Sequence, residues 1–539
     1  MSRRAARTAP PARATPDHPP PRLWLDAVGA ALLLCAIAFF ARTTLTPDGV
    51  AYFENAELFA RGRWSEAIQG YWSPGYSLLL VPVVWATGDD RVLFLTIAHV
   101  VQALLGIVAL QLAMRAVQAR VPRPVQRAVY WGCAWVILRW LTQELLTPDL
   151  LLCVLLLLFV VRLPARNRRD QLALGLIAGA GFLVKTSIWP WLVVAVAVAA
   201  LGALRAGDWR TFPLTTVAAG ALIAGTFTLV LSLRAGHPTL GSVGPLNARW
   251  YLGNLDRRTP DTDRGPHKTK TTLRLPNGDA VPMHDLRQST RTYLPWSDPE
   301  RWSAGVPVVV AQPFSAAQAT ASWRLNGLIA LRWLLPTLIG LALLVGLCGI
   351  EAEPGARWTR LLDRPLIMVG LLNALIFIAV HAESRLLAPA ALQCLLGVWP
   401  IGRRQWPHPR LSWAALASMA GVAIQLAIYA APLPRTLMKN SANEGERHRY
   451  LVEQRVRNPK QGAIIIGPAV VWMGALWQNH MRVALQIGGE GRTAVKALTE
   501  AQRLQWLYDQ FSGEVLGVGE AVVSRRGGTL HTDWTFVTW

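Results

Sequence analysis

The sequence predicts a mainly α-helical protein that crosses a membrane many times and carries a small C-terminal α/β domain. Apolar residues make up 52% of the 539 residues and charged residues only 16%, whereas an average soluble domain has about 25% charged residues. The mean hydropathy is +0.30. Apolar runs recur between residues 24 and 432, and short β-like runs follow residue 432.

This pattern divides the chain into three predicted regions. Residues 1–23 are basic and proline-rich, so we expect a disordered cytoplasmic tail. Residues 24–432 form the predicted transmembrane domain, with outer loops at 42–91 and 236–326. Residues 433–539 are expected to form the α/β domain, because the β-like runs GAIIIG, EVLGVGEAVVS and WTFVTW accompany the helical pattern TEAQRLQWLYDQF.

We predict about eleven membrane spans, several of them shorter than the roughly 20 residues of a helix perpendicular to the bilayer. Tilt or burial among neighbouring helices must accommodate the short ones. The predicted spans are residues 24–41, 92–116, 128–141, 148–163, 171–184, 188–204, 211–235, 327–349, 365–381, 386–401 and 411–432.

Arginine-rich connections determine the predicted orientation, because basic loops stay on the cytoplasmic side. Basic and non-basic loops alternate only if the short run YSLLLVPVVWAT, residues 76–87, does not span the membrane. We therefore predict that this run is a juxtamembrane or re-entrant helix on the outer face. The N-terminus is then cytoplasmic, and the C-terminal domain is periplasmic in a bacterial inner membrane.

The net charge of +22 does not indicate nucleic-acid binding, because the arginines lie in short loops between apolar runs rather than on a basic face. The cysteines lie in apolar segments, without the spacing of a zinc site, and we interpret them as packing residues. No residues have convincing metal-ligand spacing, and no cofactor is predicted. The five cysteines are Cys35, Cys133, Cys153, Cys348 and Cys394.

Several ionisable residues are predicted to lie at one membrane boundary on the outer side. Ionisable residues at membrane depth are energetically unfavourable and by default mark a site or a pathway. Helix capping is an alternative explanation for the two TPD sequences, and a lysine at the end of a span can simply extend its amine to the interface. The residues are Asp48, Glu144, Asp149, Lys185, His381, Glu383 and Arg385.

Asp48 opens a predicted amphipathic helix, with Thr46 as its N-cap. We expect this helix to lie in the membrane interface with its apolar side toward the lipid. The following stretch YWSPGYSLLL carries Tyr71, Trp72 and Tyr76, which we interpret as interfacial anchors. The long outer loop also contains Trp250, Trp296 and Trp302, for which stacking on a sugar is an alternative, and which we interpret as anchors as well.

The stretch PDGVAYFENAELFARGRW, followed by YWSPGYSLLLVPV, resembles the first outer loop of the GT-C glycosyltransferases. This superfamily contains protein O-mannosyltransferases and lipid A aminoarabinose transferases. In that loop an acidic motif precedes a tyrosine-containing helix and a proline-containing segment that re-enters the membrane. TPDLLLCVLLLLFVVRL, LALGLIAGAGFLVKTSIWPWLVVA and ESRLLAPAALQCLLG are similar to later parts of the pattern. The resemblance covers residues 24–205 well and 365–401 moderately.

The resemblance implies a GT-C fold and an inverting transferase that takes a sugar from a polyprenyl-phosphate donor. The acceptor would be a lipid, a glycan or a protein on the periplasmic face, and membrane lipids would surround the enzyme. By the same resemblance, Asp48 is the catalytic acidic residue and Asp149 the second acidic station. Lys185 and Arg385 would bind the donor phosphate.

Gly49 departs from the pattern, because many members carry a second acidic residue at this position. Asp48 would then work alone or together with Glu54, Glu144 or Asp149. The remaining candidates for substrate contact are Tyr52, Tyr76, His381 and Glu383, although His381 and Glu383 also suit a local hydrogen-bonded turn.

The chemistry of sugar transfer is consistent with these residue types. A phosphate leaving group is already charged and needs cations rather than a proton donor. The attacking hydroxyl or amine must lose a proton, and one carboxylate opposite the leaving group suffices for this step. Asp48 is the natural candidate for that carboxylate.

Two other classes of protein remain as alternatives. An O-antigen-type polymerase or ligase also spans the membrane many times and would rely on basic residues of the long loop such as Arg249 or Arg257. A transporter of lipid-linked sugars would be expected to show duplicated halves and broken helices, and we find neither in the sequence.

Overall fold

The computed structural model describes the chain in segments. They are residues 23–42, 44–121, 126–143, 146–162, 167–207, 213–251, 270–302 without 275–276, 279 and 287–288, 316–331 without 318, 365–397 without 381 and 383, and short segments between 463 and 532. The predicted tail, the predicted span 411–432 and most of the predicted span 327–349 lie outside them. Cys348 also lies outside the described residues.

Helices dominate the described part of the chain. In the first half they are α1 (Leu23–Phe40), α2 (Pro47–Ala60), α3 (Trp64–Ala67), α4 (Pro74–Thr87), α5 (Arg91–Arg120), α6 (Gln126–Gln143), α7 (Asp149–Val161), α8 (Arg168–Val184), α9 (Trp189–Ala206), α10 (Leu214–Ala235) and α11 (Val243–Tyr251). The later ones are α12 (Leu294–Ser297), α13 (Pro299–Trp302), α14 (Pro365–Val380), α15 (Ser384–Gly397) and α16 (Met473–Gln478).

Three of the described helices are long and apolar enough to cross a membrane: Leu23–Phe40, Arg91–Ala119 and Leu214–Ala235. Shorter apolar helices, such as α7, accompany them. Leucines on the outer faces of α1 and α10 are strongly exposed, including Leu32 at 66% and Leu233 at 75%. These exposed apolar faces suit contact with lipid. The count of about eleven spans stays a prediction.

The helix that carries Asp48 is enclosed by protein. Almost every residue of α2 is buried, and α2 packs against α3, α4, α12 and α16. The expectation that the apolar side of this helix faces lipid is therefore wrong, because polar residues of α2 such as Asn55 are as buried as its apolar ones. The position of α2 at the membrane interface stays a prediction. The predicted N-cap is observed, since the Thr46 hydroxyl accepts a hydrogen bond of 3.1 Å from the Gly49 amide.

Helices α8 and α10 approach each other closely because α8 carries glycines one turn apart. A Cβ atom at Gly175 would lie 2.5 Å from the carbonyl oxygen of Thr216 and 2.7 Å from the Cβ of Ala219. A Cβ atom at Gly179 would lie 2.7 Å from the Cβ of Ile223. Small residues at this spacing allow membrane helices to pack backbone against backbone. This contact holds the end of α8 in place.

The strands of the C-terminal segment share one sheet with strands of the long outer loop. The strands are β1 (Lys270–Arg274), β2 (Ala280–Asp285), β3 (Ala463–Ile466), β4 (Val483–Ile487) and β5 (Leu516–Val518). Their order in the sheet is β1-β2-β4-β3-β5. β2 pairs with β4 in antiparallel register, and β3 is parallel to both β4 and β5.

The runs GAIIIG and EVLGVGEAVVS, which were predicted to be β-like, contain β3 and β5. A separate hairpin is formed by β6 (Val523–Arg526) and β7 (Thr529–Thr532). The run WTFVTW and most of the predicted helix TEAQRLQWLYDQF lie outside the described residues. The boundary of the C-terminal domain at residue 433 stays a prediction, although its sheet extends into the outer loop.

Three of the four described cysteines agree with the packing role predicted for them, and Cys35 does not. Cys133, Cys153 and Cys394 are buried and form no disulfide, and Cys35 is exposed and also unbonded.

We expect Gly175→Ala to lower the free energy of unfolding by about 1 to 3 kcal/mol, because the added methyl group meets the backbone of α10. Thermal unfolding of the purified protein in detergent measures this change. Gly225→Ala in α10 is the matched control, since nothing lies within 4 Å of the added methyl group. Equal unfolding temperatures for the two variants would contradict the close contact.

Candidate active site

Four of the ionisable residues predicted for the outer boundary, Asp48, Asp149, Lys185 and Arg385, meet at a cavity of about 590 Å³. Its walls are supplied by α2, the segment before α4, the start of α7, the end of α8, the residues from 238 to 247, and the facing ends of α14 and α15. Asp48, Lys185 and Arg385 all line this space. Side chains that are far apart in the chain therefore face one common volume.

Two carboxylates and two cations form a continuous chain of ion pairs at this cavity. Arg385 Nη1 lies 3.0 Å from Asp48 Oδ2 and 4.0 Å from Asp149 Oδ2. Lys185 Nζ lies 2.6 Å from Asp149 Oδ1. Each charge therefore has an opposite charge within reach, which a buried ionic cluster requires to be stable.

Asp149 lies directly behind the cavity wall rather than in it. Its exposed fraction is 2%, and the cavity is lined in front of it by Thr147 and Pro148. The Thr147 hydroxyl donates a hydrogen bond of 2.8 Å to Asp149 Oδ2, and Gln102 Nε2 donates one of 2.7 Å to the Thr147 carbonyl. Asp149 is held by α5, α7 and the end of α8 together.

The two TPD sequences have different structural roles. In the first, Thr46 caps α2. In the second, the N-cap position of α7 is occupied by Pro148, and the Thr147 hydroxyl donates a hydrogen bond to Asp149. The turn before it contains Leu146, a buried residue with φ of 64° in the left-handed region. Strained backbone of this kind is common at functional sites.

Gly49 allows the two TPD segments to approach each other. A Cβ atom at this position would lie 2.9 Å from Leu45 Cδ1 and 3.2 Å from the carbonyl oxygen of Leu146. A second acidic side chain beside Asp48 would disturb this contact. The second carboxylate near Asp48 is instead that of Asp149.

Trp296 from the long outer loop contacts Asp48 directly. Its indole Nε1 donates a hydrogen bond of 3.2 Å to Asp48 Oδ1, and its carbonyl accepts one of 3.1 Å from Trp72 Nε1. The interpretation of Trp296 as a membrane anchor is therefore wrong. The only signal in the sequence was a tryptophan in the polar stretch YLPWSDPERW, which does not distinguish an anchor from a site residue.

Tyr71, Trp72 and Tyr76, which were also interpreted as membrane anchors, pack inside the protein instead. Tyr71 and Trp72 are buried and line the cavity, and the Tyr71 hydroxyl donates to Asn247 Oδ1 over 3.3 Å. The ring of Tyr52 meets those of Trp72 and Tyr76 edge to face, at centroid distances of 5.1 and 5.5 Å. Tyr76 supports Tyr52 from behind and accepts a hydrogen bond from Gln102.

The phenol of Tyr52 stays protonated at neutral pH. Burial raises its pKa well above the ordinary value, and the neighbouring carboxylates of Asp149 and Asp48 raise the pKa further. Tyr52 faces the cavity as a neutral hydroxyl group.

The structure brings together only part of the predicted residue set. Asp48, Tyr52, Lys185 and Arg385 line the cavity, and Asp149 and Tyr76 lie immediately behind its lining. Glu54, an alternative partner for Asp48, instead accepts a hydrogen bond of 2.5 Å from the Thr292 amide. Glu144, His381 and Glu383 lie outside the described residues.

No cluster of three or more histidine, cysteine, aspartate or glutamate side chains occurs within the part of the chain that the structure describes. Asp48 and Asp149 are both paired with basic side chains.

Comparisons with protein-family models and with curated proteins find no match to this chain. Solved structures do match. ArnT from Cupriavidus metallidurans bound to undecaprenyl phosphate has 13% sequence identity and a TM-score of 0.46, over 92% of this chain and 93% of that chain. The apo state of the same protein has 13% identity and a TM-score of 0.38 over the same shares.

The apo oligosaccharyltransferase from Archaeoglobus fulgidus has 14% identity and a TM-score of 0.46, over 92% of this chain and 69% of that chain. All of these TM-scores are below 0.5, and the matches carry no inference about the function of this chain.

Proposed function

We propose that this chain is an inverting glycosyltransferase of the GT-C type. It transfers a sugar from a polyprenyl-phosphate-linked donor to a lipid, glycan or protein acceptor on the periplasmic face of a bacterial inner membrane. The observation that carries the proposal is the pairing of Asp48 with Arg385 at a cavity that Lys185 also lines. One carboxylate and two cations at one cavity suit the attacking and leaving groups of this reaction.

Lys185 and Arg385 are the proposed donor-phosphate ligands. Both side chains line the cavity, and both approach the carboxylate of Asp149, at 2.6 and 4.0 Å, so the two cations lie close to one carboxylate. Cations at this spacing can contact different oxygens of one phosphate. They stabilise the negative charge that develops on the phosphate as it leaves the sugar.

Asp48 is the proposed general base. The acceptor oxygen or nitrogen forms a bond to the anomeric carbon while the bond from that carbon to the phosphate oxygen breaks. The acceptor proton passes to Asp48, and the phosphate departs with the bonding electrons. Asp48 must release Arg385 before it takes the proton, and a donor phosphate that binds the same guanidinium promotes this release.

Asp149 is proposed to orient Lys185 rather than to react. It lies behind the cavity lining, with Lys185 on one carboxylate oxygen and the Thr147 hydroxyl on the other. A carboxylate held in this way directs the lysine amine into the cavity. This role differs from the catalytic role that the sequence resemblance implies for Asp149.

We expect Asp48→Asn to lower the rate of sugar transfer about 10²- to 10⁴-fold, because an amide cannot accept the acceptor proton. The assay combines the purified protein with a bacterial lipid extract and follows donor consumption and modified product by mass spectrometry. Asp26→Asn is the matched control, since Asp26 is equally buried but pairs with Arg127 in α6, away from the cavity. Undiminished transfer by Asp48→Asn would refute the role of Asp48.

We expect Lys185→Met to weaken binding of undecaprenyl phosphate about 10- to 100-fold, because a charge-assisted contact to the phosphate is lost. The variant should also lose about 3 kcal/mol of stability, since Asp149 keeps its charge without its nearest cation. Fluorescence titration and thermal unfolding measure the two effects.

The double variant Lys185→Met with Asp149→Leu separates binding from stability. It removes the uncompensated carboxylate, so the stability should recover while the binding of undecaprenyl phosphate stays weak. Recovery of binding in the double variant would show that Lys185 only balances the charge of Asp149.

A further inference from the structure

The C-terminal segment contacts the helix that carries Asp48 on the face opposite the cavity. At 100° per residue, Phe53 and Glu57 lie about 140° and 180° around α2 from Asp48. Phe53 packs against Trp477 of α16, with ring centroids 5.3 Å apart. Glu57 is bound by Arg91, the first residue of α5. The cavity face and the C-terminal face of α2 are therefore distinct.

Trp477 is the centre of this contact. It is fully buried, and the residues from Met473 to Trp477 are buried with it. Its ring packs against Phe53 and Phe94, whose own centroids are 4.8 Å apart. Three large aromatic rings from α2, α5 and α16 thus form one cluster, and aromatic pairs at these distances stabilise a contact beyond the area that they bury.

The guanidinium group of Arg91, in α5, contacts residues of both α2 and α16. Nε and Nη2 donate to the two carboxylate oxygens of Glu57, each over 2.9 Å. Nη1 donates to the carbonyl of Trp477, and the guanidinium carbon lies 4.7 Å from the centroid of the Trp477 ring. Both partners of the ion pair have side chains only 15% exposed. A guanidinium group bound to a carboxylate by two parallel hydrogen bonds permits little rotation of either side chain.

We propose that Phe53, Glu57, Arg91 and Trp477 form a positioning cluster through which the C-terminal segment sets the position of α2 and of the Asp48 carboxylate. This inference rests on the proposed function, in which Asp48 is the base. A base must be held within a few tenths of an ångström of its productive position. The residues proposed to bind the donor phosphate lie on other elements, at the end of α8 and in α15, and both also approach Asp149 of α7, which lies outside this cluster.

The cluster therefore affects turnover rather than donor binding. We expect Trp477→Ala to lower kcat for sugar transfer about 10- to 100-fold, because a small displacement of a catalytic group has an effect of this size. The Kd for undecaprenyl phosphate should change less than about twofold, since Lys185 and Arg385 keep their places. Arg91→Gln, which keeps the aromatic rings, should lower kcat in the same direction and provides a milder variant if Trp477→Ala folds poorly.

Trp477→Phe is the conservative variant, and it should restore most of kcat. Among the described residues, the buried indole Nε1 of Trp477 has no hydrogen-bond partner, so phenylalanine loses no bond there and keeps the ring contacts. Tyr130→Ala is the matched control for the loss of a buried aromatic residue, because Tyr130 is fully buried in α6 and belongs to a different apolar cluster. It should lower thermal stability and leave kcat within about twofold of wild type.

Hydrogen exchange tests the positioning cluster without any sugar transfer. Trp477→Ala should speed amide exchange in α2 and leave exchange in α14 and α15 unchanged, whereas Tyr130→Ala should leave α2 unchanged. Unchanged exchange in α2 would overturn the inference, and so would faster exchange in α2 with full kcat. Absence of transfer by the wild-type protein would overturn the proposed function, while the exchange experiment would still decide whether the C-terminal segment holds α2.

Discussion

Charge compensation at the cavity is the constraint on which the rest of this structure depends. A charge removed from water costs several kcal/mol unless an opposite charge and hydrogen bonds replace the solvent. The chain of ion pairs from Asp48 through Arg385 and Asp149 to Lys185 provides this replacement, because each charged group lies next to one of opposite sign. The four side chains come from α2, α15, α7 and the end of α8. These elements must therefore pack together at the cavity, and this requirement constrains how the helices are arranged.

Such convergence requires backbones to come closer than ordinary side chains permit. Gly49 lets the start of α2 approach the turn before α7, and Gly75 lets the start of α4 approach the end of α8, where a Cβ atom would lie 2.8 Å from the carbonyl of Leu183. Gly175 does the same between α8 and α10. Glycine is the residue that tolerates such contacts. Glycines therefore occur at the close contacts that α2 and α8, which carry or precede charged residues of the cavity, make with neighbouring elements.

The outer segments are part of the same arrangement. Trp296 of the long loop contacts the carboxylate of Asp48, and Trp477 of the C-terminal segment contacts the opposite face of the same helix. The loop and the C-terminal segment also share a sheet, through β2 and β4. A helix of fourteen residues is thus held from two sides by chain that is more than two hundred residues away. The end of α8 and the start of α15 supply the cations, and the long loop and the C-terminal segment contact the helix that carries the carboxylate.

The sequence by itself determined the mainly helical, apolar character of the chain, the approximate bounds of α5 to α10 and the N-cap of α2. It also singled out the four charged residues of the ion-pair chain. Apolar runs, capping residues and charged residues at the ends of apolar runs are local signals. The sequence did not determine the burial of α2 and of Tyr71 and Trp72, the contact of Trp296 with Asp48, or the contact of Trp477 with Phe53. The sequence pattern around an aromatic residue does not distinguish a side chain that contacts lipid from one that is buried in the protein. Only the tertiary structure decided these contacts, since each joins side chains that are remote in the chain and depends on backbone geometry that no local pattern encodes.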